Sequence, residues 1–69
     1  MSYVIYFQSK VEDKNKGYFY RNRKEGFTSV FKPERAKKFK TEDTAFAMLK
    51  TLQEKEGKYY NFEIKELYI

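Results

Sequence analysis

The 69-residue chain has no cysteine, no histidine and no tryptophan, and only three glycines and one proline. Each absence removes a class of chemistry. Without cysteine there are no disulfides, and without cysteine or histidine the zinc, haem and iron–sulfur centres lose their usual ligands. Thiol catalysis is excluded, and general acid–base work loses its commonest group. The glycines stand apart at positions 17, 26 and 57, so there is no glycine-rich phosphate loop. Ser2, Ser9 and Ser29 have no recognisable activating partner. Nor does any apolar run approach the roughly 18–20 residues that span a membrane. The short run Tyr3 to Phe7 follows no basic residue, unlike a signal peptide. These absences point to a cytoplasmic, non-enzymatic protein that needs no cofactor and no metal.

What the chain does have is aromatic surface. Tyrosine and phenylalanine supply 14 residues, half of all those counted as hydrophobic. A domain this small buries only about 60% of its unfolded surface, and large rings with few rotatable bonds offset that. Seven of the rings are tyrosines. Their hydroxyls need water or a partner, so many should lie at the edge of the core.

The pattern of residues gives one domain over 1–69 of the α+β class. Tyr3 to Gln8 alternates Tyr3, Ile5 and Phe7 with Val4, Tyr6 and Gln8, a strand apolar on both sides. Such a strand is central in its sheet, or has its second face covered by a partner. Asn15, Lys16 and Gly17 signal a loop, and Tyr18 to Arg23 resumes strand character. There Tyr18 and Tyr20 share one face, and Phe19, Arg21 and Arg23 the other. Lys24, Glu25 and Gly26 form a hairpin turn with glycine supplying positive φ, and Phe27 to Phe31 is a third short strand. Pro33 opens one helical turn that runs as far as Lys38, and Ala36 and Phe39 seat it on the sheet.

The main helix runs from about Thr41 to Lys55. Thr41 caps it, Glu42 and Asp43 meet the positive end of its dipole, and Gly57 closes it as a left-handed residue. Glu42 and Asp43 are also the acids one would consider for magnesium, but a helix start accounts for them without it. Ala45, Met48, Leu49 and Leu52 form its apolar stripe. Tyr60, Phe62 and Ile64 then alternate with polar residues as a half-buried strand. Leu67 and Ile69 fall on the opposite parity, which a bulge, a frayed end or a second buried face would explain. The order is β-β-β-α-β: about four strands in one sheet, antiparallel or mixed. One main helix packs on one face, and the last strand returns beside the first.

Charge is the other functional clue. The net charge is +5, but Lys14 to Lys40 holds ten basic residues and two glutamates, whereas the remainder is mildly acidic. Lys16-Gly17-Tyr18-Phe19-Tyr20 is similar in outline to the strand motif of RNA-recognition domains. Phe19, however, stands where that motif has a small residue, and Arg21 where it has an aliphatic one. The wider constellation of Tyr18, Tyr20, Arg21, Arg23, Lys24, Lys32, Arg35, Lys37, Lys38 and Lys40 supports two readings. A sheet face rich in Tyr and Arg has the composition of a protein-binding hot spot, for a target protein or a homodimer. Alternatively, the basic segment 21–40 with the sheet tyrosines holds nucleic acid by phosphate contact and base stacking. Against both stands a plain solvated surface, since charge runs usually just face water.

The chain also resembles the short uncharacterised proteins encoded by phages and prophages of Gram-positive bacteria. The resemblance lies in the aromatic opening strand, Gly17-Tyr18-Phe19-Tyr20, Gly26-Phe27-Thr28, the stretch Glu34 to Ala45 and the Tyr-rich final strand. Its most characteristic part is Ala36-x-x-Phe39-x-Thr41-x-x-x-Ala45. The resemblance implies an accessory role in host takeover, counter-defence or regulation of the phage programme. It implies no catalytic residues. A DNA-mimicking inhibitor would be acidic, and this chain is basic.

Overall fold

A computed structural model describes residues 2–68. Its elements are β1 (Ser2–Ser9), β2 (Lys16–Asn22), β3 (Phe27–Val30), a 3-10 turn (Pro33–Arg35), α1 (Glu42–Glu56) and β4 (Tyr60–Leu67). The four strands form one antiparallel sheet in the order β3-β2-β1-β4. The strand that is apolar on both sides, β1, is therefore interior, as its pattern requires.

One face of the sheet carries α1. Ile5, Phe19, Phe39, Ala45, Leu49 and Leu52 form the buried core, with Tyr3, Phe27, Met48, Phe62 and Ile64 packed around it. Complete burial of a side chain such as Leu52, which has no exposed surface, contributes about 1.5–3 kcal/mol. At one end of the sheet the rings of Phe7, Phe27, Tyr60 and Phe62 meet edge to face, with centroids 5.0 to 5.8 Å apart. No tyrosine is fully buried. The hydroxyls stay at the boundary, as their polarity demands.

The helix starts where its sequence says it should: the Thr41 side chain accepts a hydrogen bond from the Thr44 amide at 3.3 Å. Its end differs from expectation. Gly57 is right-handed (φ −63°, ψ −20°), and glycine serves there because a Cβ would run into the Gln53 carbonyl oxygen. Gly26 does supply the positive φ (80°) of the β2–β3 turn. Gly17 belongs to β2 and not to the preceding loop. It lies across from Phe7, and a Cβ on it would stand 2.8 Å from the Val30 carbonyl oxygen.

Two departures reshape the sheet. First, β2 pairs with β1 only from Lys16 to Tyr18. Beyond that point the two strands part, and the segment leading into α1 fills the gap. Phe39 exchanges two backbone hydrogen bonds with Tyr3, and the Lys37 amide donates to the Phe19 carbonyl. The helical turn stops at Arg35, short of Lys38, because the next residues are extended to make these bonds. Ala36 and Phe39 are buried there, seating the segment as their spacing implies.

Second, β2 has a bulge between Phe19 and Arg21: Phe19 faces Ser29, whereas Arg21 faces Thr28. The extra residue changes the parity of the rest of the strand. Arg21 therefore leaves the helix-side face of Phe19 and turns to the side of Tyr20. In β4, by contrast, the register with β1 runs unbroken from Tyr60 to Leu67. Leu67 thus lies on the face away from α1 by simple alternation and not by a bulge, and Ile69 lies outside the described residues.

Candidate functional site

The face of the sheet opposite α1 has no covering element among the described residues. Alternation places Val4, Tyr6 and Gln8 of β1 there, with Tyr18 and Tyr20 of β2, Val30 of β3, and Asn61, Glu63, Lys65 and Leu67 of β4. Tyr6 and Tyr18 are directly opposed and pack edge to face, with centroids 5.4 Å apart. Two cations lie on the rings: Lys65 Nζ is 5.0 Å from the Tyr6 centroid, and the Arg21 guanidinium is 5.6 Å from that of Tyr20. Each such contact contributes about 0.5–1 kcal/mol at an exposed site. Val4 is only 1% exposed, so the face has an apolar floor under a rim of rings and charges.

Of the residues singled out in the sequence, Tyr18, Tyr20 and Arg21 come together on this face. Arg23 does not. It sits in the β2–β3 turn beside a hollow lined by Phe7, Phe27 and Tyr60, on the helix side. Lys37 and Lys38 share with Tyr20, Arg21, Asn22 and Met48 an open depression of about 580 Å³, whose lining includes no carboxylate. Lys32 and Arg35 lie elsewhere, around Val30 and the fully displayed ring of Phe31. Lys24, in the turn, and Lys40, just before α1, are exposed and line neither hollow. The basic segment is thus divided among several surfaces, and no single stripe of charge runs through it.

Tyr6 and Lys65 are the residues that sequence reasoning missed. Tyr6 had a signal, since it shares the parity of Val4 in a strand apolar on both sides. Lys65 had none, because its place over Tyr6 depends on which strand returns beside β1.

Other polar clusters are structural. Ser9 Oγ accepts from the amides of Val11 and Glu12 at 3.2 and 3.1 Å, which turns the chain out of β1. Glu42 and Asp43 occupy the first turn of α1 and are exposed. The Tyr68 hydroxyl donates to the Glu66 carboxylate, and this bond with the adjacent negative charge raises the phenol above its ordinary value of 10.0. Among the described residues, no helix is long and apolar enough to cross a membrane.

No protein-family model matches the chain, and no curated protein or solved structure is measurably similar to it.

Proposed function

We propose that the protein is a non-enzymatic, cytoplasmic binding protein that docks a protein partner on the open face of its sheet. The observation that carries this reading is the cluster Tyr6–Tyr18–Tyr20, with Lys65 and Arg21 laid on its rings and no described element of the chain above it. Rigid rings around an apolar floor, bordered by cations, are what interface hot spots are made of. Lys16, Arg21 and Lys65 outnumber the single acid Glu63 on this face, so the complementary surface is one rich in carboxylates. The resemblance to short phage and prophage proteins agrees with a binder of this kind and makes a host or phage protein the partner we favour.

A second reading has its own observation. The depression lined by Tyr20, Arg21, Lys37 and Lys38 offers one ring and three cations without an opposing acid, a composition that suits a phosphate and a stacked base.

Affinity capture from lysate of the source cells separates the two. The wild type should retain a protein that Tyr18→Ala/Tyr20→Ala loses and that Lys50→Ala, on the far side of α1, keeps. Equal capture by all three would remove the open face from consideration. Single-stranded oligonucleotide binding that weakens steeply between about 50 and 200 mM salt would favour the second reading.

A further inference from the structure

We infer that β4 is a homodimerisation edge, pairing antiparallel with β4 of a second copy about a two-fold axis at Ile64, so that two four-stranded sheets become one of eight. The inference stands apart from the open-face reading. It starts from which backbone groups of β4 are free.

Tyr3 exchanges its backbone hydrogen bonds with Phe39, and Ser9 donates to Asn15, both on the β2 side of β1. The even-numbered residues of β1 therefore point towards β4, as the bond from the Lys10 amide to the Tyr59 carbonyl also shows. Their register partners are Asn61, Glu63, Lys65 and Leu67. Tyr60, Phe62, Ile64 and Glu66 consequently direct their amides and carbonyls away from the sheet, along its outer edge. β4 spans eight residues with no proline and no register shift. Edges are usually blunted by shortness, proline, a bulge or charged side chains, and the opposite edge strand, β3, has only four residues. β4 has none of the first three, and its charges, Glu63, Lys65 and Glu66, restrict which strand it accepts.

Its charges select one partner and one register. Two copies of β4 can form hydrogen-bonded pairs only between even residues, which allows axes at Phe62, Glu63, Ile64 or Lys65. An axis at Glu63 sets Glu63 against its own copy, and one at Lys65 does the same for Lys65. An axis at Phe62 sets Glu63 against Asn61 and Lys65 against Tyr59, so neither gains a charge across the seam and each keeps only the other, 4.0 Å away in its own strand. Only the axis at Ile64 puts Glu63 opposite Lys65 of the second copy, and Lys65 opposite its Glu63. These are non-hydrogen-bonded positions, where facing side chains lie closest. On the helix side the same register sets Ile64 against Ile64, Tyr60 against Tyr68 and Phe62 against Glu66. It covers two half-buried apolar side chains and the 74%-exposed ring of Tyr68.

Sedimentation equilibrium of the full chain over a concentration series tests this. The wild type should approach twice its 8.4 kDa mass, and a monomer at every concentration would overturn the inference. Glu63→Lys and Lys65→Glu should each be monomeric, with circular dichroism confirming that they fold. Mixed in equal amounts they should form a heterodimer, because every facing pair is again of opposite sign. Single variants that dimerise like the wild type, or a mixture that stays monomeric, would contradict this edge. Tyr18→Ala/Tyr20→Ala should leave the dimer intact, which keeps this result separate from that of the open face.

Discussion

Tyr3 and Phe39 hold each other by two backbone hydrogen bonds, amide to carbonyl in both directions, each 2.9 Å long. This pair joins the start of the first strand to the segment that delivers the helix, in the gap where β1 and β2 have parted. The Phe39 ring then reaches the core beside Ile5 and Phe19. The position of α1 on the sheet, and hence the bareness of the other face, depends on this join.

Phe39→Ala should therefore cost about 3–5 kcal/mol, the range for removing a buried ring. That is comparable to the whole stability of a domain this size, at roughly 0.05–0.15 kcal/mol per residue. Urea unfolding followed by circular dichroism should show a chain largely unfolded without denaturant, or nearly so. A loss below about 1 kcal/mol would mean that the Phe39 ring does not anchor this segment in the core.

Lys55 ties the end of α1 to the β2–β3 turn. Its ammonium donates to Asn22 Oδ1 at 2.9 Å, to the Gly26 carbonyl at 3.0 Å and to the Arg23 carbonyl. Lys55→Met keeps the stem and removes these bonds, which should lower stability by about 1–3 kcal/mol. Amide exchange should quicken in the turn while β1 and β4 are spared. All three acceptors are neutral, so the loss should persist in high salt, where a surface ion pair would already have been screened.

Gly17 and Gly26 should rank by what surrounds them. At Gly17 a Cβ would press on the Val30 carbonyl at 2.8 Å and the Phe7 ring at 3.4 Å, so Gly17→Ala must open the β2–β3 pairing, at about 1–3 kcal/mol. Gly26 has a positive φ of 80°, but a Cβ on it would meet only a Glu56 oxygen, at 3.9 Å. Gly26→Ala should thus cost about 1–2 kcal/mol, from backbone conformation alone. Thermal unfolding of the two variants gives the order.

Much of the fold is legible in the residues. The two apolar faces of Tyr3 to Gln8 make β1 interior, Thr41 and the Ala45–Leu52 stripe define α1, and Ala36 and Phe39 mark the lead-in. These are side-chain signals, and burial enforces them. What could not be read is made by backbone. The Tyr3–Phe39 bonds use groups that every residue has, and the bulge at Tyr20 leaves no mark in a Tyr-Arg pair that suits either register. That bulge is why Arg21 joins Tyr20, although strict alternation puts it with Phe19. Nor does a run of basic residues reveal how a turn and a splayed strand will divide it, so Arg23 and Lys32 part from Arg21. Gly17 reads as a loop residue because its close approach to β3 is set by a strand still to come.

The most decisive measurement is the ring spectrum of the seven tyrosines, labelled and observed by NMR, with and without the captured partner. If the open sheet face is the docking surface, the Tyr6, Tyr18 and Tyr20 rings should shift or broaden on binding, while amides along the exposed side of α1, around Lys50, stay in place. Unchanged Tyr6 and Tyr18 rings, with perturbation confined to α1 or to the turn around Arg23, would contradict it.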